Sequence, residues 1–273
     1  MIKKIICVSF FAVLAIVSGL QCSVKTQENN SSGIVSIKDK ILRKLDEINN
    51  YKVDATVSID NHIARSQIFG MQPDRLRVTQ RIRKGSEELS NTIMFDGRFQ
   101  WIESKLSNNT LQISKIKLSD VVDLDRPFDT GYYLQGAGIF GGESFPSTVR
   151  ILISIYNLSA IRSSDKIILS GSLDQNKFEA YADKRKFAKL NRESGFRDKF
   201  KKDFGYASME FGGADFFLRK YALGPSKDNM NIEVSFHNLK INLDGMENSF
   251  VYHIPKGVEP VDITDELIQA LGN

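Results

Sequence analysis

The stretch from Tyr51 to Trp101 constrains this chain more than any other. It reads YKVDATVSID, then HIARSQIFGMQPDRLRVTQRIRKG, then LSNTIMFDGRFQWIES. Val53, Ala55, Val57 and Ile59 alternate with polar residues, the period of a half-buried strand. Leu76, Val78 and Ile82 repeat the pattern, with Arg75, Arg77, Arg81 and Arg83 on the opposite parity. Gln72-Pro73-Asp74 interrupts the pattern before that strand. Asp96-Gly97 sits between IMF and RFQW, a strong hairpin signal. The stretch therefore reads as an antiparallel meander with one apolar and one charged face. Such a sheet must cover its apolar face with helices, with itself, or with a ligand.

The chain opens on an export signal. Lys3 and Lys4 precede an apolar run from Ile5 to Leu20, which is short for a membrane span and right for a secretory core. Residues 1–21 are thus read as a signal peptide. Cys7 falls inside it, so Cys22 is the one thiol left after export and no internal disulfide can form. Cys22 follows Gly19-Leu20-Gln21, an imperfect lipobox, and two outcomes stay open: acylation of Cys22, or ordinary cleavage near Gly19. The expectation is a lipidated Cys22 with a palmitate-type anchor. Ser23 to Gly33 is polar and free of aromatics, so residues 22–35 are read as its tether, and residues 36–273 as a single domain with the basic insertion near 183–203.

Ser36 to Asn49 places Ile37, Ile41, Leu45 and Ile48 on one stripe, with Ser36 and Asp39 as a capping box. This helix is a natural cover for the meander. A turn at Asn108-Asn109 and a strand from Leu111 to Leu118 follow. Gly136, Gly138 and Gly141 spell G-x-G-x-x-G, but no strand-to-helix junction surrounds them, so the nucleotide reading is set aside. The segment reads instead as an aromatic-rich lid loop, with Tyr132, Tyr133, Ile139 and Phe140 near an opening. Pro146 to Leu158 predicts a second helix with Pro146 in its first turn. A hairpin is expected around Asp174-Gln175-Asn176. Near 183–203 comes a basic, helical insertion, read either as a solvated face or as a contact for anionic headgroups or an acidic partner. A second meander, broken at Gly212-Gly213 and Gly224-Pro225-Ser226, precedes a terminal helix from Ile263 to Leu271.

Chemistry-bearing patterns are few. His62, His237 and His253 lack metal-ligand spacing, and no P-loop or nucleophile elbow occurs. The sequence points to no catalytic residue, metal or cofactor, and the chain is not read as an enzyme. A net charge of +4 gives no electrostatic footprint for nucleic acid. The positive signal is an aromatic surplus carried on strands: Phe95, Phe99, Trp101, Phe236, Phe250 and Tyr252 are examples. A long sheet with few covering helices can enclose an apolar space, a container for acyl chains.

The order of motifs resembles the LolA/LolB-like family of periplasmic lipoprotein carriers, LppX-type lipid carriers included. The residues that carry the resemblance are the Tyr51-x-Val53-x-Ala55 strand, the step Gly70, Pro73, Arg75, Arg77, the Asp96-Gly97 hairpin leading to Trp101, and the ending Phe236, Asn238, then Phe250, Tyr252, Ile254, Pro255, Gly257, Val258. The resemblance implies an α+β fold: an unclosed antiparallel β-barrel of about eleven strands, lidded by a few α-helices over an apolar cavity. Carriers of that family place a lid-locking arginine before the proline, where this chain has Gln72. The candidate cavity residues are Val53, Val57, Ile59, Leu76, Val78, Ile93, Phe95, Trp101, Phe236 and Tyr252. The expected partner is an acyl chain of a lipid or lipoprotein, held by a monomer that binds no nucleic acid. The expected location faces the periplasm, anchored through Cys22 to the outer membrane. The alternative is an envelope sensor or scaffold that uses the fold for protein contacts.

Overall fold

A computed structural model describes residues 31–59, 62–72, 75–84, 87–105, 110–117, 144–184 and 196–266. Helix α1 (Ser31–Asp46) leads into six strands: β1 (Asn50–Ile59), β2 (His62–Met71), β3 (Arg75–Lys84), β4 (Glu87–Phe95), β5 (Phe99–Lys105) and β6 (Leu111–Lys117). Helix α2 (Phe145–Ile155) runs into β7 (Tyr156–Arg162) and β8 (Lys166–Leu173). Helices α3 (Gln175–Lys184) and α4 (Phe196–Asp203) precede β9 (Tyr206–Gly212), β10 (Leu218–Gly224) and β11 (Ile232–Ile241). A 3₁₀ turn (Met246–Phe250) and the two-residue β12 (Val261–Asp262) follow.

All strands join one 12-stranded sheet in the order β12-β6-β5-β4-β3-β2-β1-β11-β10-β9-β8-β7. Every pairing is antiparallel except β12 on β6. The sheet does not close, because β7 and β12 end it. This is the unclosed, helix-lidded α+β architecture that the family resemblance implies. The strand beyond about eleven is β12, too short to carry a periodic signal.

One core joins α1, α2 and a single face of β1–β4 and β7–β11. That face, with Val53, Leu76 and Phe236, is called inner below. α2 is buried nearly all round: Val149, Ile151, Leu152, Ile153 and Ile155 are covered and Ser154 alone in that run is exposed. A helix apolar on all sides belongs inside a fold.

Several boundaries differ from the sequence reading, each for a local reason. α1 begins at Ser31, upstream of the Ser36 box, because Ile34 extends the Ile37–Ile41–Leu45 stripe by one turn. α2 stops at Ile155 rather than Leu158. Asn157 and Leu158 pair with Ser172 and Gly171 instead, and a side chain at Gly171 would meet the Asn157 carbonyl oxygen. Asp174 starts a helix, not a hairpin. Its carboxylate accepts from Lys177 N at 3.1 Å and its carbonyl from Phe178 N at 2.9 Å. Aspartate suits both a turn and an N-cap, and burial of Phe178 and Ala182 one helical turn apart decides for the helix.

The basic insertion begins on α3 and ends on α4, with residues 185–195 outside the described set. Phe200 of α4 stacks on Phe178 at 4.6 Å, and Arg197 and Lys201 both pair with Glu179. Part of its charge thus fastens α4 to α3. The expected turn at Asn108-Asn109 and most of the terminal helix lie outside the described residues.

Candidate functional site

Register assigns each sheet residue to a face, since directly paired residues point the same way. One inner row runs Tyr51, Gly70, Leu76, Phe95, Gln100, Ile116. The next runs Val53, Ile68, Val78, Ile93, Ile102, Ser114. Of the expected cavity residues, Val53, Leu76, Val78, Ile93, Phe95 and Phe236 are buried in the continuous core. Val57 packs against it half-buried, and Ile59 is half-buried at the end of β1. These eight share the inner face.

Trp101 and Tyr252 do not. Trp101 pairs with Met94, whose side chain points away from Ile93 and Phe95. It therefore lies on the outer face, stacked on Tyr252 at 4.8 Å. The Tyr252 hydroxyl donates to Glu103 Oε2 at 2.8 Å, and Arg77 donates to the Ser249 carbonyl at 3.4 Å. Burial, then the Glu103 carboxylate, push the Tyr252 hydroxyl well above its ordinary pKa. Trp101 Nε1 is tied to Asp96 Oδ2 at 2.8 Å, back at the hairpin. This pair secures a C-terminal strap over β3–β6 and stands on the opposite face of the sheet from the other eight candidate cavity residues.

The inner face is covered by α1 and α2, and their fastenings are few. Tyr51 is fully buried, and its hydroxyl accepts from Phe145 N at 2.9 Å, pinning the start of α2. Burial raises its pKa far above the ordinary value, with the Phe145 amide pulling weakly the other way. The Tyr51 ring lies where a side chain on Gly70 would stand, so that position must be glycine. Phe145 meets Phe236 edge-on at 5.0 Å. Ser144 caps the helix, accepting from Ser147 N at 3.3 Å.

The far end of α1 is held by amides. Gln72 Nε2 donates to the Ile48 carbonyl at 2.8 Å and Gln72 N to the Asn49 carbonyl at 2.9 Å. Asn242 takes a left-handed φ of 51° and bonds both Asn49 N and the Glu47 carbonyl at 2.9 Å. Arg150 of α2 pairs with Asp46 of α1 at 2.6 Å, exposed to solvent. Lys38 on α1 is held below its ordinary pKa, first by burial and then by Lys177 of α3.

Gln72 thus stands where the resemblance places a lid-locking arginine, and it fastens the lid as a neutral donor. Sequence flagged the residue but not its bond, because Ile48 is 24 positions away. The Tyr51 hydroxyl was hidden in the same way: the motif tyrosine was visible, its partner across the fold was not.

Cys22 and the lid-loop residues Tyr132, Tyr133, Ile139 and Phe140 lie outside the described residues. Among the described residues, no group of three His, Cys, Asp or Glu could hold a metal, and no helix is long and apolar enough to cross a membrane. Two shallow concavities among them lie on the outer face of β8–β10. The larger, of about 290 Å³, is walled by ion-paired Lys166, Glu210, Asp215 and Arg219.

No protein-family model matches the chain, and no curated protein matches its sequence. Solved structures do match. An uncharacterized conserved protein from Thermus thermophilus is 11% identical, with 84% of this chain and 99% of that one covered and a TM-score of 0.44. MucB is 13% identical, with 81% and 63% covered and a TM-score of 0.43; it is matched again in the Pseudomonas aeruginosa MucA/MucB complex. The chain thus spans less than two thirds of MucB's length. A LolA superfamily protein from Nitrosomonas europaea is 12% identical, with 78% and 97% covered and a TM-score of 0.29. The neighbours therefore include the family whose motifs the sequence resembles. At these scores the likeness is one of outline, and the reading below rests on this chain's own residues.

Proposed function

We propose that this chain is a bacterial envelope protein that takes acyl chains of lipids or lipoproteins onto the inner face of its sheet and passes them on without chemistry. In this reading it is exported, anchored through acylated Cys22 to a periplasm-facing membrane surface, the outer membrane first, and serves lipoprotein sorting or lipid transport. One observation carries it: the two inner rows of β1–β4 that hold Leu76 and Phe95 and Val53, Ile68, Val78 and Ile93 are apolar and are covered by two helices fastened by a handful of polar contacts among the described residues.

Exposing one buried side chain of α2, such as Leu152, forfeits roughly 1.5–3 kcal/mol, and each acyl methylene buried in its place returns about 0.8 kcal/mol. Because burial is non-directional, a chain bound this way leaves when a better acceptor offers more apolar contact. α1 opens at its amide latches, and α2 swings about Tyr51 and Ser144.

The filled interior under α2 favours a second reading, in which the same fold is an envelope sensor or scaffold for protein contacts. Native mass spectrometry separates the two. The protein, with Cys22→Ala to remove the anchor, is purified from the periplasm without detergent. Added mass matching phospholipid or acyl chains, lost on organic extraction, is the expected result. A clean apo mass with no uptake of fluorescent fatty acid would reject the carrier reading in favour of the scaffold. Globomycin tests the anchor separately: no build-up of precursor from the wild-type chain would count against acylation of Cys22.

A further inference from the structure

The outer face of the sheet carries a row of positive charge. The register sets Thr56, Arg65, Arg81, Ser90 and Lys105 side by side across β1–β5. Arg65 stands directly opposite Arg81, and like charges so placed repel. Arg65, Arg81 and Lys105 are exposed, and Arg65 and Lys105 form no ion pair among the described residues. The next row holds two acids, Asp54 and Glu103, and both are engaged: Asp54 by Asn238 and Gln67, Glu103 by Tyr252. Arg83, one row the other way, is paired in register with Glu88. Cations of the helices are matched more closely. Lys44 pairs with Glu47, Arg150 with Asp46, Lys177 with Asp174, and Arg197 and Lys201 with Glu179.

Single aliphatic side chains stand out on the same side. Ile63, 55% exposed, shares the parity of Arg65 two residues along β2. Val251, Ile254 and Val261 are exposed on the strap that lies over β3–β6. Cations interleaved with such side chains suit a bilayer surface, where anionic headgroups take the charge and the acyl boundary takes the apolar tips. An acidic polypeptide would answer the charge alone. We propose that the outer face of β2–β5, through Arg65, Arg81, Lys105 and Ile63, docks the domain on an anionic lipid bilayer. Docking there turns α1 and α2, which cover the opposite face, toward the aqueous side. The proposal does not depend on what the inner face holds.

The test floats the mature protein, with Cys22→Ala to remove any anchor, on vesicles of phosphatidylethanolamine with either phosphatidylglycerol or phosphatidylcholine. The protein should bind the first kind and not the second, and binding should fall as salt rises from about 0.1 to about 1 M. Each cation at such a surface is worth about fivefold, so Arg65→Gln, Arg81→Gln and Lys105→Gln together should cost about a hundredfold. The same charge removed from the helices, by Lys40→Gln, Arg43→Gln and Lys202→Gln, should leave binding within about threefold. Ile63→Ser should weaken vesicle binding by about tenfold and leave binding to polyglutamate unchanged. Uptake of fluorescent fatty acid should be the same in every variant, so docking and acyl loading fail separately. Equal losses from the two triple variants, or vesicle binding indifferent to the outer-face substitutions, overturn the proposal. No binding to anionic vesicles overturns it too, and polyglutamate binding that the outer-face variant loses would then assign the row to an acidic protein.

Discussion

The two faces of the sheet are covered in opposite ways. Over the inner face, α1 and α2 press apolar side chains onto apolar rows, with polar fastening at the helix ends and at the exposed Arg150–Asp46 pair. Over the outer face of β3–β6, the strap from Met246 to Asp262 lies on directional contacts: the Trp101–Tyr252 stack, the Tyr252–Glu103 bond, Arg77 on Ser249, and the backbone pairing of β12 with β6. A covering held by burial can be replaced by any apolar body of similar area, whereas one held by aimed bonds needs its own partner back. On the carrier reading proposed above, the inner cover is the one that exchanges.

The largest effect should come from the inner cover. Leu152→Ala, at a fully buried position of α2, should cost about 2–5 kcal/mol in urea unfolding. Added acyl ligand should recover part of that loss, raising the variant's midpoint more than the wild type's. Equal shifts for both would place the ligand away from α2. Tyr51→Phe comes next. It leaves Phe145 N buried without its acceptor, at a cost of about 1–3 kcal/mol, and should speed amide exchange at the first turn of α2.

On the outer side, Tyr252→Ala removes a stacked, half-buried ring and a hydrogen bond. A loss of about 1–2 kcal/mol is expected, with acyl loading unchanged. Loading that falls with Tyr252 would erase the distinction between the covers. Gln72→Ala is smaller, about 0.5–1.5 kcal/mol, and should show chiefly as faster exchange at the C-terminal end of α1.

Much of this was legible because amphipathic strands announce themselves. β1 and β3 show their inner faces in sequence, since one face is apolar and the other is charged. The hairpin at Asp96-Gly97 was legible too, and its Gly97 φ of 93° explains the glycine. The face of Trp101 is not legible in the sequence because both parities of β4 are apolar: Met94 and Phe95 are each buried. Alternation cannot orient such a strand. What buries Met94 and Trp101 from outside is a strap about 150 residues later, as the Tyr252–Glu103 bond shows. Gln100 read as an ordinary polar residue of β5, and only the register with Phe95 and Ile116 exposes it as an interior amide.

The smallest predicted effect tests whether the outer contacts titrate while the inner cover does not. Asp54 sits beside a β-bulge where β1 meets β11, and its carboxylate accepts from Asn238 Nδ2 at 2.9 Å and Gln67 Nε2 at 3.1 Å. Asn238, then Gln67, hold this carboxyl below its ordinary pKa. A folded-state pKa below the unfolded one means the contribution is complete above the unfolded value, about 3.9, and is lost as pH falls through the folded one. The site is largely solvated, so the contribution at neutral pH should stay under about 1 kcal/mol. Asp54→Asn should therefore lose little at pH 7 and show a flatter stability curve below about pH 4. Identical acid limbs for the two proteins would remove Asp54 from the account. Acyl loading should be the same in both proteins down to the start of that limb, because the inner rows of β1–β4 against α1 and α2 carry no described titrating group except the Tyr51 phenol. Its raised pKa keeps it protonated throughout. A loading curve that bends with Asp54 would mean that the bulge joining β1 to β11 transmits to the lid, and the two covers would then act as one.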